Sequence, residues 1–193
     1  FQSAAEVASY AKMTDAAPGR FKYEDVDKNG VIDDKDRTFF GNPNPDFTLG
    51  INLNVAYKRF DISTNLYGSF GNDILNETRY FQDFLPQFQN SKSIPLLTES
   101  WLPTRKSTKW PIVENNSYFS TNGVINNFYV EDGSYLRVKQ LSLGYTIDPV
   151  TLKKYGIDKA RVFVQGANLF TITNYSGLDP EIGGGTANFG VDH

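Results

Sequence analysis

The chain has 193 residues, 39% of them hydrophobic and 15% aromatic, with a net charge of -3. That balance gives no general affinity for nucleic acid. With no cysteine, and the single histidine at position 193, disulfides and thiolate metal sites are excluded, and Ser–His triads and His-ligated zinc are disfavoured.

No run of about 18 apolar residues is present, so no transmembrane helix is expected. The opening Phe1-Gln2-Ser3 shows neither a basic region nor an apolar stretch, and the chain is read as a piece of a longer protein. Residues 3–12 read as a short helix, with Ser3 as cap and Glu6 three residues on as a capping box. Pro18-Gly19 ends that unit.

An acidic loop follows. Asp25, Asp27 and Asn29 alternate, Gly30 permits a sharp turn, and Val31 offers a carbonyl. Asp33 falls at the ninth position and Asp36 at the twelfth. This spacing fits a calcium loop. Asp stands where an EF-hand has Glu, so the loop is closer to the dockerin-type variant. Four converging carboxylates repel one another without a cation. The plainer reading is a solvated acidic turn, in which Asn-Gly is common. No flanking helix pair is evident, so a staple for the loop is expected rather than a switch.

After the turn Gly41–Pro45 comes the clearest strand. Phe47, Leu49, Ile51, Leu53, Val55 and Tyr57 alternate with polar or small residues. Lys58-Arg59 turns into a second strand, Phe60–Gly71, making a hairpin. Residues 72–131 are long and broken by Pro86, Pro95, Pro103 and Pro111, with a helix expected over Ile74–Phe84. A connection of that length is not an idle loop. Its rings Tyr80, Phe81, Phe84, Phe88, Trp101, Trp110, Tyr118 and Phe119 suit stacking on sugar or peptide, or packing against one another and a partner.

The stretch Glu131–Thr146 opens on the turn Asp132-Gly133 and alternates strictly from Gln140, with Leu141, Leu143, Tyr145 and Ile147 on one face. A connector at Asp148–Lys159 leads to a fourth strand, Ala160–Phe170, and a glycine-rich end from Gly177 to His193. Glu131 and Asp132 are adjacent and point to opposite faces, so they do not flank one substrate bond. Gly183-Gly184-Gly185 is followed by no Lys-Ser/Thr and is no phosphate loop. An enzyme is therefore not expected.

Short turns alternate with long loops, the rhythm of a transmembrane β-barrel; strands of about 10–12 residues match a tilted crossing. A soluble antiparallel sheet packed on a helix stays open on pattern alone.

Seven stretches occur in order: Asp25–Asp33, Gly41–Phe47, Tyr67–Asp73, Val130–Arg137, Leu141–Tyr145, Asn168–Thr173 and Tyr175–Glu181. Together they resemble the C-terminal part of the SusC/RagA family of TonB-linked outer-membrane transporters. The resemblance implies an all-β fold: antiparallel strands of a transmembrane barrel wall of about 22 strands, here a fragment with long extracellular loops. It implies import of glycans or oligopeptides across the outer membrane of a Gram-negative bacterium, driven by the TonB system and aided by a SusD-like surface lipoprotein. The plug, the TonB box and the closing strand are not among these residues. In this frame residues 1–46 form an extracellular loop with the short helix and calcium-type loop. Residues 47–193 carry barrel strands and loops. Residues 72–131 and 174–193 lie outside the cell, and residues 58–59 and 148–159 on the periplasmic side. The rival reading is a secreted, calcium-stabilised β module that binds carbohydrate.

Overall fold

The computed structural model describes residues 1–86, 92–182 and 190–192. Phe88, the triglycine at 183–185 and His193 lie outside the described residues. The chain forms two compact units: Phe1–Gly41 with Leu75–Val130 and the chain end from Val191, and Asn42–Ile74 with Glu131–Gly190.

The second unit is built on an antiparallel sheet. Its strands are β1 (Phe47–Tyr57), β2 (Phe60–Phe70), β5 (Tyr135–Thr146), β6 (Arg161–Ala167) and β7 (Thr171–Thr173); the short β3 (Asp73–Asn76), β4 (Val130–Asp132) and β8 (Val191–Asp192) are not part of this sheet. The order is β1-β2-β5-β6, with β7 also paired to β5. β1 and β2 pair without a slip from Phe47↔Phe70 to Tyr57↔Phe60. Lys58 takes a positive φ of 56° in the short turn between them. β2 and β5 pair over a long sequence separation, from Phe60↔Tyr145 to Ser69↔Tyr135, with a bulge where Asn65↔Gln140 gives way to Leu66↔Val138.

That bulge explains why the alternation read from Gln140 does not extend back to Tyr135. Lys139 is the extra residue, and one extra residue flips every side chain before it. Leu136 and Val138 therefore share a face with Leu141 and Leu143. The neighbouring strand breaks at the same level. The expected strand Ala160–Phe170 is instead β6, an interruption at residues 168–170 with Asn168 at φ 48°, and β7. Asn168 N–H donates to the Lys139 carbonyl and Leu169 N–H to that of Val138, so the break follows the bulge. The connector, expected only as a link, holds a short helix over Pro149–Lys153; Asp148 caps it, accepting from Val150 N–H at 3.0 Å. Asp before Pro is a helix-start signal.

The first unit is mostly loop around a small core. Phe84, Leu96, Trp110 and Tyr129 are buried together, with Leu75, Tyr80, Ile125 and Phe128 against them. Helix α1 spans Ala4–Ala8, with Ser3 Oγ accepting from Glu6 N–H at 3.2 Å. It is shorter than the expected 3–12. Lys12 is drawn into a parallel bridge with Val31, taking the Gly30 carbonyl at 2.9 Å and giving its own to Ile32 N–H at 2.8 Å. The helix expected over Ile74–Phe84 is likewise corrected. Leu75 and Asn76 belong to β3 (Asp73–Asn76), paired in parallel with β8 (Val191–Asp192). Asn76 then caps the short α2 (Glu77–Arg79), and one π-helical turn covers Tyr80–Phe84. Distant pairing overrides local propensity at both places.

Candidate functional site

Residues directly opposite on paired strands share a face, so the register writes out both faces of the sheet. One carries the rows Tyr57–Phe60–Tyr145–Val162, Val55–Ile62–Leu143–Val164 and Leu53–Thr64–Leu141–Gly166. The other carries Ala56–Asp61–Gly144–Phe163, Asn54–Ser63–Ser142–Gln165 and Asn52–Asn65–Gln140–Ala167. The first is oily, the second largely amides and hydroxyls.

The oily face is uncovered. Val55, Ile62, Leu143 and Val164 are 59%, 40%, 52% and 74% exposed; on the polar face Ser142 and Gly144 are buried, while Asn52, Asn54 and Gln165 are exposed as well. A continuous oily surface of this kind marks contact with another apolar phase. Rings bound the oily face at both ends. Phe60 and Tyr145 meet at 4.8 Å beside the short turn, and Phe47 stacks on Phe70 at 4.9 Å at the far end. From Phe47 to Tyr57 the strand rises about 33 Å, at about 3.3 Å per residue. At the tilt of barrel strands that is about 25 Å of height, the thickness of an apolar band between two aromatic girdles.

The polar face is stitched by side chains. Asn65 Nδ2 donates to Asn52 Oδ1 at 2.7 Å. Arg161 on β6 reaches over β5 to Asp61 on β2, with Nε to Oδ1 at 2.9 Å and a second contact from Nη2 to Oδ2. It passes over Gly144, where a Cβ would meet both charged groups.

The acidic loop lies in the first unit. Carboxylate oxygens of Asp25, Asp27 and Asp36 lie within 4.8 Å of one another. Asp25 accepts from Asn29 N–H at 3.1 Å and from Gly30 N–H at 2.8 Å. Asp36 ties the two ends of the loop, accepting from Val26 N–H and Asp33 N–H, both at 2.8 Å. The Asp33 amide leads the causes that hold the Asp36 carboxyl below the usual carboxylate range. Gly30 sits at φ 84°, as a sharp turn requires. Asn29 and Asp33 do local work: Asn29 Oδ1 accepts from Val31 N–H at 2.7 Å and Asp33 Oδ1 from Lys35 N–H at 2.8 Å. The structure thus brings three of the predicted side chains together and places Asn29, Val31 and Asp33 along the same turn. An all-oxygen donor set of this kind has the chemistry of a hard divalent cation site of the calcium type.

Of the loop rings, Phe84, Trp101 and Trp110 are buried and Tyr80 packs on the core, so these build the loop rather than offer a stacking face. Tyr118 lies under the Arg20 guanidinium at 3.7 Å, and Arg20 makes a paired contact with Glu114 at 2.9 and 2.7 Å. Trp101 Nε1 donates to Gln2 Oε1 at 3.0 Å and its ring fills the space at Gly19. Phe81 stays exposed.

No family model matches the chain. It is 38% identical over 170 residues to the TonB-dependent receptor P3 of Formosa agariphila, an alignment covering 86% of this chain and 16% of that relative. It is 26% identical over 179 residues to the TonB-dependent receptor SusC of Bacteroides thetaiotaomicron, covering 84% of this chain and 15% of SusC. Among solved structures, the RagAB peptide importer in its closed-closed state superposes with a TM-score of 0.67 at 26% identity, covering 90% of this chain and 19% of that one. The chain spans about a sixth of the length of the curated relatives it matches.

Proposed function

The chain belongs to the SusC/RagA family of TonB-dependent receptors and forms antiparallel strands of its β-barrel wall; from that premise we propose that it is the C-terminal stretch of an outer-membrane importer. It works in the outer membrane of a Gram-negative bacterium, powered by TonB through parts of the receptor outside these residues. Its oily face meets lipid and its polar face lines the lumen. The cargo is a glycan or an oligopeptide, admitted with a SusD-like lipoprotein as lid. The solved relative is a peptide importer by its description, and the other named relative is SusC. The wall has no chemistry to perform and the chain acts in transport, not as an enzyme.

The observation that carries this reading is the row Val55–Ile62–Leu143–Val164, apolar across four strands and open on its outer side. A secreted module would bury that row. The test is a pair of substitutions in the full-length receptor. Leu53→Arg sets a cation on the oily face near mid-strand, costing about 2–4 kcal/mol of stability in a bilayer. Asn52→Arg sets it on the polar face and costs much less. Equal losses at the two positions, read by urea unfolding from lipid vesicles, would refute the assignment.

The same reading gives the acidic loop a calcium ion, with Asp25, Asp27 and Asp36 as the converging carboxylates and Asn29, Asp33 and the Val31 carbonyl along the turn. Support comes from the three gathered carboxylates and the tie between the loop ends through Asp36. Bound there, the ion supplies positive charge that offsets carboxylate repulsion. The loop's own hydrogen bonds set its shape.

A further inference from the structure

Two of the stretches that mark the family, Val130–Arg137 and Tyr175–Glu181, have no role in the function proposed above. In the sheet unit they are two halves of one clamp. At the base, Tyr175 is buried, and Ser176 gives its N–H and Oγ to Glu131 at 2.9 and 2.8 Å. At the tip, Arg137 of β5 donates from Nη1 to Glu181 Oε2 at 2.7 Å and pairs through Nη2 with Asp179. Lys139, the bulge residue, also pairs with Glu181. Arg137 Nε is held by Thr171 Oγ1 at 2.7 Å, so β7 fixes the plane of the guanidinium.

The burial is lopsided. The Arg137 side chain is 6% exposed, while those of Asp179 and Glu181 are 56% and 37% exposed. Leu178 just before them is 97% exposed, while Pro180 between them is buried. Gly177 folds the tip back over the Tyr175 ring, where a Cβ would lie 2.4 Å from the ring. The base is therefore fixed by burial and hydrogen bonds, and the tip is held by the charges of Asp179 and Glu181 on either side of the buried Pro180.

We propose that residues 177–181 are an electrostatic latch over the polar face of the sheet, whose release uncovers Arg137 and Lys139. Opening costs the two carboxylates little, because they already face water. It leaves two cations on the wall, with Arg137 by the Tyr135 ring (5.4 Å) and Lys139 by the Tyr67 ring (5.8 Å). An anionic group reaching that wall competes with the chain's own Asp179 and Glu181. The latch rests on contacts within the sheet unit alone, so it stands or falls separately from the lipid assignment of the opposite face.

The test is hydrogen–deuterium exchange of the full-length receptor in detergent, read on the amides of Gly177–Glu181. Raising salt to about 1 M shrinks the screening length to about 3 Å, and should speed exchange of these amides several-fold while leaving Leu141–Tyr145 unchanged. The double substitution Asp179→Asn, Glu181→Gln removes the anions without touching the wall. It should exchange fast at both salt levels. Arg137→Gln should do the same; if that variant does not fold, the double variant still decides. Salt-independent exchange in the wild-type protein, or a double variant as slow as wild type, overturns the latch.

Discussion

Gly144 shows how one residue is chosen by its neighbours two strands apart. Asp61 on β2 and Arg161 on β6 meet across it, and any side chain there would stand between them. Both charged side chains are about a third exposed, so solvent screens the pair and its coupling is small. Gly144→Val should push Arg161 off Asp61. A double-mutant cycle of Asp61→Asn and Arg161→Gln, read by urea unfolding in vesicles, should give that coupling with glycine present and none with valine. An undiminished coupling in the valine background would show that the contact does not run over Gly144. In the sequence this glycine reads only as a weak spot on a strand. Its meaning lies in Asp61 and Arg161, a hundred positions apart.

At the level of elements, legibility follows the range of the forces. The hairpin β1–β2 was plain because alternation and a short turn are local signals, and its pairs Val55↔Ile62 and Tyr57↔Phe60 close on them. The phase of Tyr135–Lys139 was hidden, because the bulge at Lys139 is defined by its partners Asn65 and Leu66. Local signals extend helix α1 too far and make a helix of Ile74–Phe84, since the Lys12–Val31 and Leu75–Val191 pairings cannot be seen in either segment alone. The acidic loop was readable as a motif. What the structure adds is that Asp36 closes it onto Val26 and that Asn29 and Asp33 are engaged in turn hydrogen bonds. With calcium bound there, chelation should raise protease sensitivity near Lys22–Arg37 while β1 and β2 stay protected. Asp27→Ala should reproduce that local effect without chelator. Cleavage unchanged by chelator, with no calcium bound in a direct titration, would leave the loop as a solvated acidic turn.

At the scale of the whole molecule, the two units divide by what surrounds them. One unit buries Phe84, Leu96, Trp110 and Tyr129 together in a core of its own. The sheet unit instead turns its oily rows outward and keeps amides and hydroxyls on its other face. That outward oily face is the central claim, because it separates a wall in lipid from a domain in water. Accessibility of spin labels in the full-length receptor, reconstituted in a bilayer, reads it most directly. Labels replacing Leu53 and Leu143 should be open to membrane-dissolved oxygen and closed to a water-soluble paramagnetic complex. Labels replacing Asn52 and Ser142 should show the opposite preference or none for oxygen. Matching oxygen accessibility on the two faces would contradict the account.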